Sequence, residues 1–169
     1  MKKTSAYTYL ILLISFNSLF SQQVINKEVI CPKKMLDAIS TAKPNFFFDQ
    51  EYLKNIKFND SYSFHLLVKV PSNEPEARAI PNLIRKKSPK GAKLVNARVL
   101  NITGAPKSAT ITFKNTDYKP YEVVCVKIDG VADVKGKWNP KIEIFITGSF
   151  LGFEASRVTY WNGMNIAVN

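Results

Sequence analysis

From position 62 the chain alternates. Tyr62, Phe64, Leu66, Val68 and Val70 are apolar, and Ser63, His65 and Lys69 between them are polar, with Leu67 the one exception. A two-residue period predicts a strand with one face in a core, and Pro71 ends it. Ala109, Ile111 and Phe113 repeat the pattern against Ser108, Thr110, Thr112 and Lys114. Ile142, Ile144 and Ile146 repeat it against Lys141, Glu143 and Phe145. Leu94 to Thr103 reads as a further strand. Tyr121 to Ile128 departs from the pattern: Val123, Val124, Cys125 and Val126 are apolar on both faces, which predicts a central strand covered on two sides. Asp129-Gly130 is a candidate hairpin turn. Asn162-Gly163 predicts a terminal hairpin that pairs Phe153–Trp161 with Met164–Asn169, because that dipeptide tolerates positive φ at both turn positions. Of Tyr160 and Trp161, one ring then faces outward while the other is buried.

Before position 62 the period is helical. Pro32 opens Lys33 to Ala42, where Met35, Leu36 and Ile39 share one face, and Pro44 stops it. Asp49 is a suitable N-cap for the stretch holding Tyr52, Leu53 and Ile56. Asn73-Glu74-Pro75-Glu76 has the form of a capping box with proline in the first turn, and Pro81 keeps that helix short. Gln22 to Ile30 is a β-branched run suited to a sheet edge. About seven strands and one to three short helices predict a mostly β fold. The form expected is an antiparallel β-sandwich or partly closed barrel with short N-terminal helices. The alternative is an α+β layer in which the helices cover one antiparallel sheet.

The first 21 residues follow a different rule. Lys2 and Lys3 precede an apolar run from Leu10 to Phe20, and Ser21 offers a small residue for cleavage. This is the layout of a secretory signal peptide and is too short for a membrane span. The expected organisation is therefore a signal peptide over 1–21 and a single β-rich domain over 22–169. The product is exported, to a periplasm or beyond the cell, and its mature part has no transmembrane segment. Residues 22–169 keep 22 Lys and Arg against 13 Asp and Glu, a net charge of +9, which favours anionic partners. Cys31 and Cys125 form a candidate disulfide in an oxidising compartment. The bond would close a loop worth about 4 kcal/mol in chain-entropy terms.

Candidate chemistry is sparse. His65 is the only histidine, and Cys125 lies in the most apolar strand, so a Cys–His dyad is not expected. No set of three or four Cys, His or carboxylate ligands has metal spacing, and no phosphate loop or nucleophile elbow is present. No cofactor is called for. Arg78, Arg85, Lys86, Lys87, Lys90, Lys93 and Arg98 fall within 21 residues and form a candidate docking element around Pro89 and Gly91. Tyr118, Tyr121 and Trp138 form a candidate glycan platform. The function expected is that of an exported, non-enzymatic binding or accessory module for an acidic protein or an anionic envelope or matrix glycan. Nucleic acid is excluded by export and by the lack of a base-stacking stripe among the lysines. Two alternatives remain: a small secreted hydrolase using Glu143 and Glu154 as paired carboxylates, and a structural subunit that assembles through a sheet edge.

Overall fold

The computed structural model describes residues 22–41, 46–84, 89–106 and 108–169. The expected signal peptide over 1–21 and the cationic residues Arg85, Lys86 and Lys87 lie outside this set. The described residues form eleven strands and three short helices, so the fold is mostly β. No helix among them is long and apolar enough to cross a membrane.

One sheet has five strands in the order β1-β6-β7-β3-β2. They are β1 (Gln23–Asn26), β6 (Thr110–Phe113), β7 (Val123–Val131), β3 (Ser61–Lys69) and β2 (Phe46–Phe47). The other has four in the order β4-β10-β9-β5: β4 (Leu83–Ile84), β10 (Phe153–Trp161), β9 (Lys141–Phe150) and β5 (Lys93–Thr103). A two-stranded ribbon pairs β8 (Gly136–Trp138) with β11 (Ile166–Val168). The two larger sheets bury one shared core, with Phe64, Leu66, Val68, Ile111, Val126 and Ile128 from the first and Val99, Ile102, Ile142, Ile144 and Trp161 from the second. Backbone bonds also stitch the free side of β5 to the connections of the other layer. Ala97 and Tyr118 exchange two of them (2.9 and 2.8 Å), and the Leu94 amide donates to the Ser72 carbonyl (2.8 Å). The result is a sandwich closed along one side.

The alternating pattern from Tyr62 becomes β3, whose core-facing residues Tyr62, Phe64, Leu66 and Val68 are buried. Leu67 breaks the alternation for a reason. On the outer face it pairs in register with Cys125 of β7, and both lie under helix α1 (Lys33–Thr41) with Ile39, Met35 and Leu36. Cys31 and Cys125 are disulfide-bonded, with sulfurs 2.03 Å apart, which fastens the start of α1 to the central strand. The helix-over-sheet arrangement of the α+β alternative is therefore present locally, on a sandwich. Asp49 caps α2 (Gln50–Lys54) by accepting from the Tyr52 amide. Asn73 caps α3 (Glu74–Ala79) by accepting from the Glu76 amide, and the Glu76 carboxylate accepts from the Ser72 amide at 2.7 Å.

Three expectations are corrected. The sheets are not purely antiparallel, because β1 runs parallel to β6. The 83 residues between them free the pair from hairpin geometry. Asp129-Gly130 is not a turn but part of β7, opposite Ser63 and Tyr62. Gly130 is small because a Cβ there would lie 2.4 Å from the Tyr62 hydroxyl. Asn162-Gly163 closes no hairpin: β10 pairs with β9, and β11 pairs with β8. Gly163 sits beneath the Trp161 ring, where a Cβ would meet Cζ2 at 2.6 Å. Trp161 is the buried ring of its pair, stacked on Phe46 at 3.9 Å and donating to the Pro81 carbonyl at 2.9 Å. Tyr160 faces out beneath the Lys141 ammonium.

Candidate functional site

The hairpin of β9 and β10 is paired from Ile142 and Trp161 to Phe150 and Phe153, and its inward residues change character along its length. Ile142, Ile144, Thr159 and Trp161 are buried between the sheets. Further out, Ile146, Gly148, Phe150, Phe153, Ala155 and Arg157 line an open groove of about 430 Å³. No residue of the five-stranded sheet reaches this groove. Its other wall is Asn73 and Ala77 at α3 together with Pro89, Ala92, Lys93 and Leu94. The small side chains at 148 and 155 deepen it.

The tip of this hairpin is a two-residue turn, Leu151-Gly152, with φ of 49° and 83°. Both values are positive, as the twist of a tight hairpin demands. Glycine takes that conformation freely, but leucine pays about 1–2 kcal/mol for it. Leu151 is nevertheless 81% exposed, and Phe153 beside it is 80% exposed. A strained leucine and a phenylalanine left mostly in water gain little from folding, which makes the tip a candidate contact surface.

The described members of the cationic cluster divide between two places. Lys93 lines the groove and Lys90 is exposed in the adjoining turn. Arg78 is exposed on α3, the helix that walls the groove. Arg98 is elsewhere: it lies on the outer face of the four-stranded sheet, over the Phe145 ring at 5.6 Å and 3.6 Å from the Asp117 carboxylate. The aromatic platform is not assembled. Tyr118 packs against the core and donates to the Lys114 carbonyl. Tyr121 is tied through its hydroxyl to Ser72 (2.9 Å) and Glu76 (3.2 Å). Trp138 packs in the β8–β11 ribbon opposite Ile166.

A second surface lies on the outer face of the five-stranded sheet, beside α1. It is an open trough of about 840 Å³ lined by Ser61, Ser63, His65, Thr110 and Asp129, with Tyr52, Asp49 and Met35 at its sides. Register sets its floor: Thr110, Asp129 and Ser63 form one row across β6, β7 and β3, and Thr112, Lys127 and His65 form the next. The Lys127 ammonium bonds the Asp129 carboxylate at 2.9 Å. Burial opposes ionisation of Asp129, but hydrogen bonds from Ser63 and Lys127 outweigh it and hold its pKa below the usual carboxylate value. His65 is held below its ordinary pKa by burial and by Lys127, with Asp129 opposing.

Catalytic sets do not form among these groups. Cys125 is committed to its disulfide and offers His65 no thiolate. Glu143 and Glu154 share the outer face of the four-stranded sheet, but Glu154 pairs with Ser149, six residues along β9 from Glu143. At about 3.3 Å per residue this separates them by roughly 20 Å, beyond the span over which two carboxylates share a glycosidic bond. Among the described residues no three His, Cys, Asp or Glu side chains converge on one point.

The hairpin tip carries one signal in the sequence, Phe150-Leu151-Gly152-Phe153 itself, a consecutive apolar run around a glycine where alternation stops. No family model, curated protein or solved structure matches the chain.

Proposed function

We propose that the chain is an exported, non-enzymatic binding module that holds an acidic partner protein at the open end of its sandwich. The observation that carries this reading is the juxtaposition of exposed, strained Leu151 and exposed Phe153 with an apolar groove that Lys93 lines and that has exposed Lys90 in the adjoining turn. An apolar anchor entering the groove and acidic residues beside the lysines would use both parts. A glycan would supply the charge and could stack a ring on Phe153, but it has no apolar side chain to fill the groove between the strands and α3, so a protein partner is preferred. The disulfide and the leader-like pattern of residues 1–21 support export. The distance between Glu143 and Glu154 argues against the paired-carboxylate hydrolase.

A photo-crosslinking residue at position 153 tests this in the native host envelope. The expected adduct is an acidic protein, lost in Leu151→Asp. It should form more slowly in the double variant Lys90→Gln, Lys93→Gln at low salt, because screened charges act mainly on association. An adduct with a second copy of the chain would favour the structural-subunit reading. Absence of any adduct would overturn both.

A further inference from the structure

We infer that the trough on the outer face of the five-stranded sheet is a second binding site, one that takes neutral sugar residues of a glycan. Hydroxyls, a carboxylate and an imidazole stand there at the spacings of a sheet, about 4.8 Å between strands and about 6.7 Å between rows on one face. Ser61 and Thr110 supply groups that both donate and accept, Ser63, whose hydroxyl donates to Asp129, keeps lone pairs to accept, and the Asp129 carboxylate keeps acceptor sites beyond those that Ser63 and Lys127 use. A sugar ring presents the same mixture of donors and acceptors around its edge. Its C–H face also needs an apolar or aromatic side chain, and the half-exposed Tyr52 ring and Met35 border the trough. The Tyr52 hydroxyl accepts from the Ser63 amide at 3.2 Å, which fixes the ring at the edge and leaves its O–H proton to donate.

Charge selects a neutral ligand over an anionic one. The chain is strongly basic overall, yet Lys127 in the adjoining row is bonded to Asp129, and Asp49 adds a second carboxylate at the side. An anionic sugar would therefore meet carboxylates here and find its lysines at the groove instead. The wall containing Met35 belongs to α1, which the Cys31–Cys125 bond anchors to the sheet.

The test is an amide chemical-shift titration of the disulfide-bonded protein with cellohexaose, laminarihexaose, xylohexaose, maltohexaose and chitohexaose, each at millimolar concentration, beside a heparin oligosaccharide. At least one neutral hexasaccharide is expected to shift amides of 61–65, 110–112 and 127–131 saturably and to persist at high salt. The double variant Ser63→Ala, Thr110→Ala should bind it about tenfold or more weakly, because it removes hydroxyls that the ligand would use, and so should Asp129→Asn, which replaces a charged acceptor by a neutral one. Unchanged shifts elsewhere in the spectrum show that these variants keep the fold, and Leu151→Asp should bind the sugar as the wild type does. The inference is overturned if no neutral sugar moves those amides, if only heparin does, or if the folded variants bind as tightly as the parent.

Discussion

The β9–β10 hairpin has two halves built from the same kind of residue and used in opposite ways. In the inner half, Ile142, Ile144 and Trp161 lie under the five-stranded sheet, and Trp161 is 3% exposed with Phe46 stacked on it. In the outer half, Phe150, Leu151 and Phe153 continue the apolar face past the point where that sheet stops, and Phe153 stands 80% in water. Strand alternation alone does not distinguish the halves. What differs is whether a second layer covers the strand. The comparison teaches that an apolar inward face reports a need for cover and not its source, which for the outer half is, on the proposed reading, a partner.

Substitutions should separate the halves by size of effect. Trp161→Ala is expected to cost about 3–5 kcal/mol, the range for emptying a buried aromatic site, and a denaturant melt reads it directly. An equally mild melt for Trp161→Ala and Phe153→Ser would break the comparison. The next effect comes from pH. Burial, assisted by Asp133 and Asp129, pushes the Tyr62 hydroxyl from 10.0 up to about 12. A phenol whose folded pKa is raised favours the fold in its neutral form. Its contribution is complete below pH 10 and is lost as pH rises through about 12. The two-unit shift corresponds to roughly 2–3 kcal/mol. Tyr62→Phe should flatten the alkaline limb of the stability curve relative to the parent, while lysine titration remains common to both.

Smaller effects belong to the outer half. Leu151→Asn should stabilise the fold by on the order of 1 kcal/mol, since asparagine accepts the left-handed backbone that leucine resists, and it should weaken partner capture at the same time. A gain in melting temperature with capture unchanged would separate the strain from the binding role. Phe153→Ser should leave stability within about 0.5 kcal/mol and lower capture, as crosslinking from a neighbouring position would register.

These two halves also mark how far sequence reasoning reaches. Strand β3, the doubly covered β7 and the caps at Asp49 and Asn73 were legible because each depends on local spacing or on one side chain reaching a nearby amide. The turn positions were not. Asn162-Gly163 carries the stronger hairpin signal, yet burial of Trp161 over Gly163 and pairing of β11 with β8 outweigh it. The turn that does form contains leucine, a residue with no preference for it. The cationic run was legible as composition only. Which side chains meet depends on how β5 runs, and a register shift in its pairing with β9, between Leu94 and Asn96, lies between Lys93 and Arg98. Lys93 stays at the groove while Arg98 turns to Phe145 and Asp117. The trough was out of reach for the same reason: its rows unite residues 61–65, 110–112 and 127–129, and only sheet order brings them together.

The Cys31–Cys125 bond has a mechanical consequence. Both ends of a 93-residue segment meet at that bond, so tension applied between residue 22 and residue 169 bypasses the segment and enters the central strand directly. The enclosed chain, about 320 Å of contour at full extension, is shielded from the load while the bond stands. Under a pull the domain presents a short covalent path, and the folded segment it encloses comes under load only once the bond is reduced.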